Sequence, residues 1–257
     1  MKKVLAQKSG VFRVLLLQLA VSTFLVIFLS KVLIRNINSN VMLMALFYVS
    51  SDHYAFDIII ELVQMSLFVP VMIFIIIKVI KQFDMDNAYL IIRHKMSRIW
   101  FWRLLVNIIT LSLTTAIATM TVFYVYTRYA LNETTDFSLT DLMIFSLSLT
   151  CGIVFYILLS LTLSLNKSAL FTAGTQISLL AIGRILIHSL HEIASLTIVA
   201  AININHMFIP SDETGFGQRS IKQIILIYTV DFIVIFVVSL LFQYSVKRIN
   251  LLRGQTC

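Results

Sequence analysis

This chain has little of what a soluble enzyme needs. Charged residues make up 12% of its 257 positions, about half of the roughly 25% usual in soluble globular domains. With only two prolines and seven glycines, collagen-like, solenoid and linker-rich architectures fail, and no repeat or low-complexity tract is visible. No Gly-x-x-x-x-Gly-Lys-Ser/Thr occurs, nor any glycine-rich loop that would wrap phosphates at a helix start, so the chain has no nucleotide site of its own. The two cysteines do not suggest a bridge. Cys151 lies inside an apolar run and Cys257 is the last residue, which reads as a buried packing thiol and a free tail thiol.

What is present is apolar. Hydrophobic residues reach 59% and the mean hydropathy is +0.95, which predicts an all-α integral membrane protein, one transmembrane domain over residues 1–257. A helix needs about 20 mainly apolar residues to cross the hydrocarbon core. Six stretches meet that length: 12–34, 57–80, 104–127, 141–165, 168–188 and 222–246. Apolar character continues through 189–209, interrupted by His188, His191, Glu192, Asn203, Asn205 and His206. That extension is too polar for a seventh span and reads as a helix re-entering the outer leaflet or lying along it, tolerated where protein buries the backbone. The N-terminal Lys2, Lys3, Lys8 and Arg13 imitate a signal-peptide n-region. The apolar run that follows is too long for an h-region and has no small-residue cleavage site, so it reads as an uncleaved first span.

The net charge of +8 follows topology rather than nucleic acid. With a cytoplasmic N-terminus, the inner segments hold Lys2, Lys3, Lys8, Arg13, Lys78, Lys81, Arg93, Lys95, Arg98, Arg103, Lys167, Lys247, Arg248 and Arg253, that is 14 of the 20 basic residues. Of the 12 acids only Asp84 and Asp86 fall inside. The positive-inside rule then puts both termini in the cytoplasm. Trp100 and Trp102 fall at the inner interface, and Tyr124, Tyr126 and Tyr129 at the outer end of the third span, as an aromatic belt requires.

The largest polar interruption, Asp84 to Arg103, faces the cell interior in this topology and contains both tryptophans. Tyr89, Leu90, Ile92 and Met96 can share one helical face, with Arg93, Lys95 and Arg98 around the rest, giving a short amphipathic helix at the inner membrane surface. Two readings stand. Its basic residues attract anionic lipid, or the helix docks into a cleft on a soluble protein and transmits movement to spans two and three.

Six spans, cytoplasmic termini and this elbow resemble the permease subunits of ABC-2 type transporters. Tyr89-Leu90-Ile91-Ile92-Arg93-His94-Lys95, then Ser97-Arg98 and Trp100 leading into span three, are similar to the coupling-helix region of small bacterial permeases of that family. The segment after span five resembles their outer-leaflet helices, and Met1–Phe12 their interfacial first helix. The resemblance implies an ATPase-docking surface at Asp84, Asp86, Tyr89, Arg93, His94, Lys95 and Arg98. It also implies two copies of a cytoplasmic ABC ATPase carrying the ATP and Mg, and a second permease, identical or paralogous. No cofactor is bound by this chain itself. The expected setting is a bacterial plasma membrane and the expected role export of amphipathic or antimicrobial peptides or other hydrophobic compounds.

Other polar residues have plainer readings. Lys31 and Arg35 against Asp57 and Glu61 suit an ion-paired ladder or separate snorkelling at the outer boundary. Asp231, about nine residues into the sixth span, is an intramembrane acid and so a functional candidate. Arg184 as partner, or an aqueous cavity, would lower its cost. His188, His191, Glu192 and His206 invite a metal, but His-Glu-x-x-His and the Glu-Glu-x-x-x-Arg of CAAX-type proteases are missing, and outer-surface polar residues explain them. Thr115, Ala118 and Thr119, then Ala169, Ala173 and Gly174, allow close helix approach within the subunit or across a dimer. The rival functions are a stand-alone membrane immunity or sensor protein, and an intramembrane metal-dependent hydrolase using the histidines.

Overall fold

In lipid no water is available to hydrogen-bond a bare peptide group, so a long apolar run satisfies its backbone internally as a helix. The structure, a computed structural model, describes residues 2–28, 68–81, 97–130, 139–164, 171, 174–175, 177–179 and 221–254, all of them helical. Helix α1 is Lys2–Phe28, α2 the helical stretch 68–81, α3 Ser97–Ala130, α4 Leu139–Ser164 and α5 Ile221–Gly254. Three of them contain stretches long and apolar enough to cross a membrane: Phe101–Tyr126, Ser146–Leu163 and Tyr228–Ser245. The described residues are thus all helical, with three helices fit to span a membrane, as an all-α membrane protein requires.

These three stretches coincide with the expected third, fourth and sixth spans. The first expected span has its counterpart in the apolar part of α1, Phe12–Ile27. The stretch likened to an interfacial first helix, Met1–Phe12, lies from Lys2 onward in α1, which continues unbroken into that span. Lys, Leu, Ala and Gln favour helix there, and Gly10 alone does not break it. Helix α2 covers the second half of 57–80, and the helical residues between 171 and 179 fall within 168–188. The segment 189–209 and the Lys31, Arg35, Asp57 and Glu61 pairs lie outside the described residues.

The helices pack in sequence, α1 on α3, α3 on α4 and α4 on α5. Of the membrane-length stretch in α4, 72% is buried, against 50% in α3 and 22% in α5. Among the described helices α4 is therefore the most enclosed and α5 the least. Ile153, Ile157, Leu158 and Leu161 of α4 are fully buried in one cluster with Ile108 and Leu111 of α3, Val14 of α1, and Val71, Ile75 and Val79 of α2. Helix α5 touches this cluster mainly through Val238 and Phe242, and turns Phe232, Ile233, Phe236, Val237, Leu240 and Leu241 outward. Outward apolar side chains at this spacing form a lipid-facing stripe. The rings of Phe101 and Phe242 lie 6.0 Å apart and tie the beginning of α3 to the second half of α5.

Hydroxyls in these helices are mostly hidden locally. Thr110, Thr114 and Thr121 of α3 donate to carbonyls four residues back, at 2.8, 2.8 and 2.7 Å. Thr162 of α4 and Thr229 of α5 do the same. Such bonds let a hydroxyl sit near lipid without an orphaned donor.

Candidate functional site

Two groups of polar side chains sit between helices. The first joins α1 and α3. Gln18 is fully buried, and its Nε2 donates to Thr119 Oγ1 at 2.7 Å and, more weakly, to Ser22 Oγ at 3.3 Å. Thr119 gives its own proton to the carbonyl of Thr115 at 2.9 Å, and Thr115 gives its proton to Leu111. Thr119 can therefore only accept from Gln18, which fixes the amide with its nitrogen toward α3. Oε1 of Gln18 and Oγ of Ser112 are buried and have no hydrogen-bond partner among the described residues. Leaving a buried acceptor unmade costs about 1–3 kcal/mol.

This bond also sets register. Gln18 is six residues into the first expected span and Thr119 fifteen into the third. If the helices run the same way, they are out of step by nine residues, about 13 Å at 1.5 Å per residue. We expect Thr119→Val to remove the interhelical bond and lower stability by about 0.6 kcal/mol, the usual value for such bonds in a membrane. Thr110→Val, which removes only a bond within α3, should change stability by less than half of that, read from denaturation in mixed micelles.

The second group lies between α4 and α5. Asp231 is buried, with Cys151 of α4 and Tyr228, three residues earlier on α5, as near neighbours. Cys151 is a buried free thiol. Its position ten residues into the fourth expected span, with Asp231 nine into the sixth, puts the two at one depth if those spans are parallel. The sequence suggested Arg184 or an aqueous cavity for Asp231. Arg184 lies outside the described residues; among those described, Cys151, 80 positions away, is a neighbour of Asp231. Matching depths across same-direction spans was the signal that would have found it.

The expected docking residues Asp84, Asp86, Tyr89, Arg93, His94 and Lys95 lie outside the described residues, as do His188, His191, Glu192 and His206. Arg98 stands in the first turn of α3. Trp102 is 58% exposed at that end of the helix and Tyr129 74% exposed at the other, the disposition of interfacial anchors. Lys78 near the end of α2 buries its Nζ with no hydrogen-bond partner among the described residues. Thr115, Ala118 and Thr119 are buried as close-approach positions should be. Gly174 is different: a Cβ added there would meet nothing within 4 Å, so no close packing occurs at that glycine among the described residues. Gln18 and Ser22 were not singled out by the sequence, although an amide inside an apolar span is itself a sign of an inward face.

No protein-family model, curated protein or solved structure matches this chain.

Proposed function

We propose that this chain is the membrane-spanning permease subunit of an ATP-driven exporter of the ABC-2 type, working as a dimer on two copies of a separate cytoplasmic ATPase. The reading is carried by α3 together with the basic, tryptophan-bearing sequence that leads into and overlaps it, Asp84 to Arg103 (the bend of the proposed mechanism). That helix starts at Ser97, inside this segment, and runs 34 residues without a break, about 51 Å at 1.5 Å per residue and well beyond a roughly 30 Å hydrocarbon core. A push on the bend thus acts on one rigid rod. The contact between Phe101 and Phe242 would carry that push to α5.

ATP and Mg belong to the partner chain in this account, and this subunit does no chemistry. Closure of the ATPases displaces the bend, tilts spans two and three, and opens a path between subunits. The contact of Phe101 near the start of α3 with Phe242 late in α5 is the one expected of antiparallel spans with both termini cytoplasmic, which supports that topology. The cargo class that suits a small permease with minimal outer loops is an amphipathic or antimicrobial peptide, or another hydrophobic compound, expelled from a bacterial plasma membrane. Affinity purification of the tagged chain from its native membrane tests the reading. A nucleotide-binding ATPase should copurify in near-equal amount, and its absence under gentle detergent would favour a stand-alone immunity or sensor protein.

A further inference from the structure

In the seam between α1 and α3, buried polar groups hold hydrogen-bonding capacity that the helices do not use. Gln18 and Ser112 are both fully buried, and Gln18 Oε1 and Ser112 Oγ have no partner among the described residues. Ser112 lies seven residues before Thr119, so the two fall almost in line on one face of α3. The face that meets Gln18 therefore continues to Ser112, roughly 10 Å along the helix. Helix α3 has a cheap way to hide a hydroxyl, since Thr110, Thr114 and Thr121 all bond back to its own carbonyls. Ser112 does not take it.

Packing two helices in lipid does not require polar side chains, because small and branched apolar residues pack as closely. A seam that only held α1 to α3 would gain nothing from the unused Gln18 Oε1 and Ser112 Oγ, each of which is costly to leave unpaired. We propose that this seam is a water-accessible polar path, which opens between α1 and α3 in the working protein. There Gln18 and Ser112 take up water and the hydrogen-bonding groups of a polar solute. In the closed arrangement seen here the amide nitrogen of Gln18 latches onto Thr119, and its carbonyl is held ready for a donor.

The test is thiol accessibility in native membranes, with Cys151→Ala and Cys257→Ser as background and a small charged methanethiosulfonate as probe. Three single variants are compared: Gln18→Cys, Ser112→Cys and Ala118→Cys. Ala118 is equally buried but lies about 120° round α3 from Ser112. The first two thiols should react at least about tenfold faster than the third, because only a hydrated thiol ionises and is modified. Ser112→Cys exchanges one atom and decides the matter even where Gln18→Cys does not fold. Modification of Ser112→Cys at the rate of Ala118→Cys overturns the proposal. That failure would leave the ATPase-docking reading untouched, since the labelling does not involve the bend.

Discussion

Charge reversal in the bend, Arg93→Glu together with Arg98→Glu, is expected to strip the ATPase from the purified protein while leaving the permease in the membrane. The two side chains fall five residues apart in a segment whose only acids are Asp84 and Asp86. A soluble partner that grips this bend therefore meets a predominantly positive surface, and reversing two of its charges places like against like. Such juxtapositions cost several kcal/mol, so recovery of the ATPase should fall by about 100-fold or more. Raising the salt concentration should weaken the wild-type complex in the same direction, because salt screens charge attraction at a water-facing surface. Lysines and arginines also bind anionic lipid, at about 1 kcal/mol each near the surface. A lipid-only role predicts a shift in lipid binding and no ATPase in either preparation.

Phe242→Ala should have the largest effect on stability. Phe242 is 1% exposed on a helix most of whose large side chains face outward, and its ring meets Phe101 of α3. Removing a buried phenylalanine costs about 3–5 kcal/mol in soluble cores. Lipid tails are as apolar as the helix, so the transfer part of that cost shrinks and the lost packing remains. We therefore expect about 2–3 kcal/mol, measured by denaturant unfolding in micelles. Phe236→Ala, at a 57% exposed position on the same helix, should stay within about 0.5 kcal/mol of wild type. Equal effects at the two positions would show that α5 is anchored elsewhere.

The contrast between these phenylalanines marks what the sequence could and could not convey. Spans were legible because a membrane forces every long apolar run into a helix, so 104–127, 141–165 and 222–246 could be read from length alone. The packing of those spans was not. In water a core face and a solvent face differ in polarity, but in lipid both are apolar, and nothing in residues 232 to 242 marks Phe242 as inward and Phe236 as outward. Only the polar exceptions carried directional information. Asp231 was recognised as such an exception, but its neighbour Cys151 lies on another helix and emerges only when depths are matched. Gln18 was passed over inside its run, although it makes the hydrogen bond that joins α1 to α3. The Asp84–Arg103 segment is the opposite case: its composition was plain in the sequence, and the role proposed for it rests on a partner that this chain does not contain.

The most direct test of the central claim is site-specific photocrosslinking from the bend in native membranes, with a photoreactive amino acid in place of Tyr89 and, separately, of Lys95. The account predicts an adduct with a soluble ATPase chain from both positions, enriched when ATP is bound and its hydrolysis blocked. Adducts with phospholipid alone, from both positions and in every nucleotide state, would contradict it.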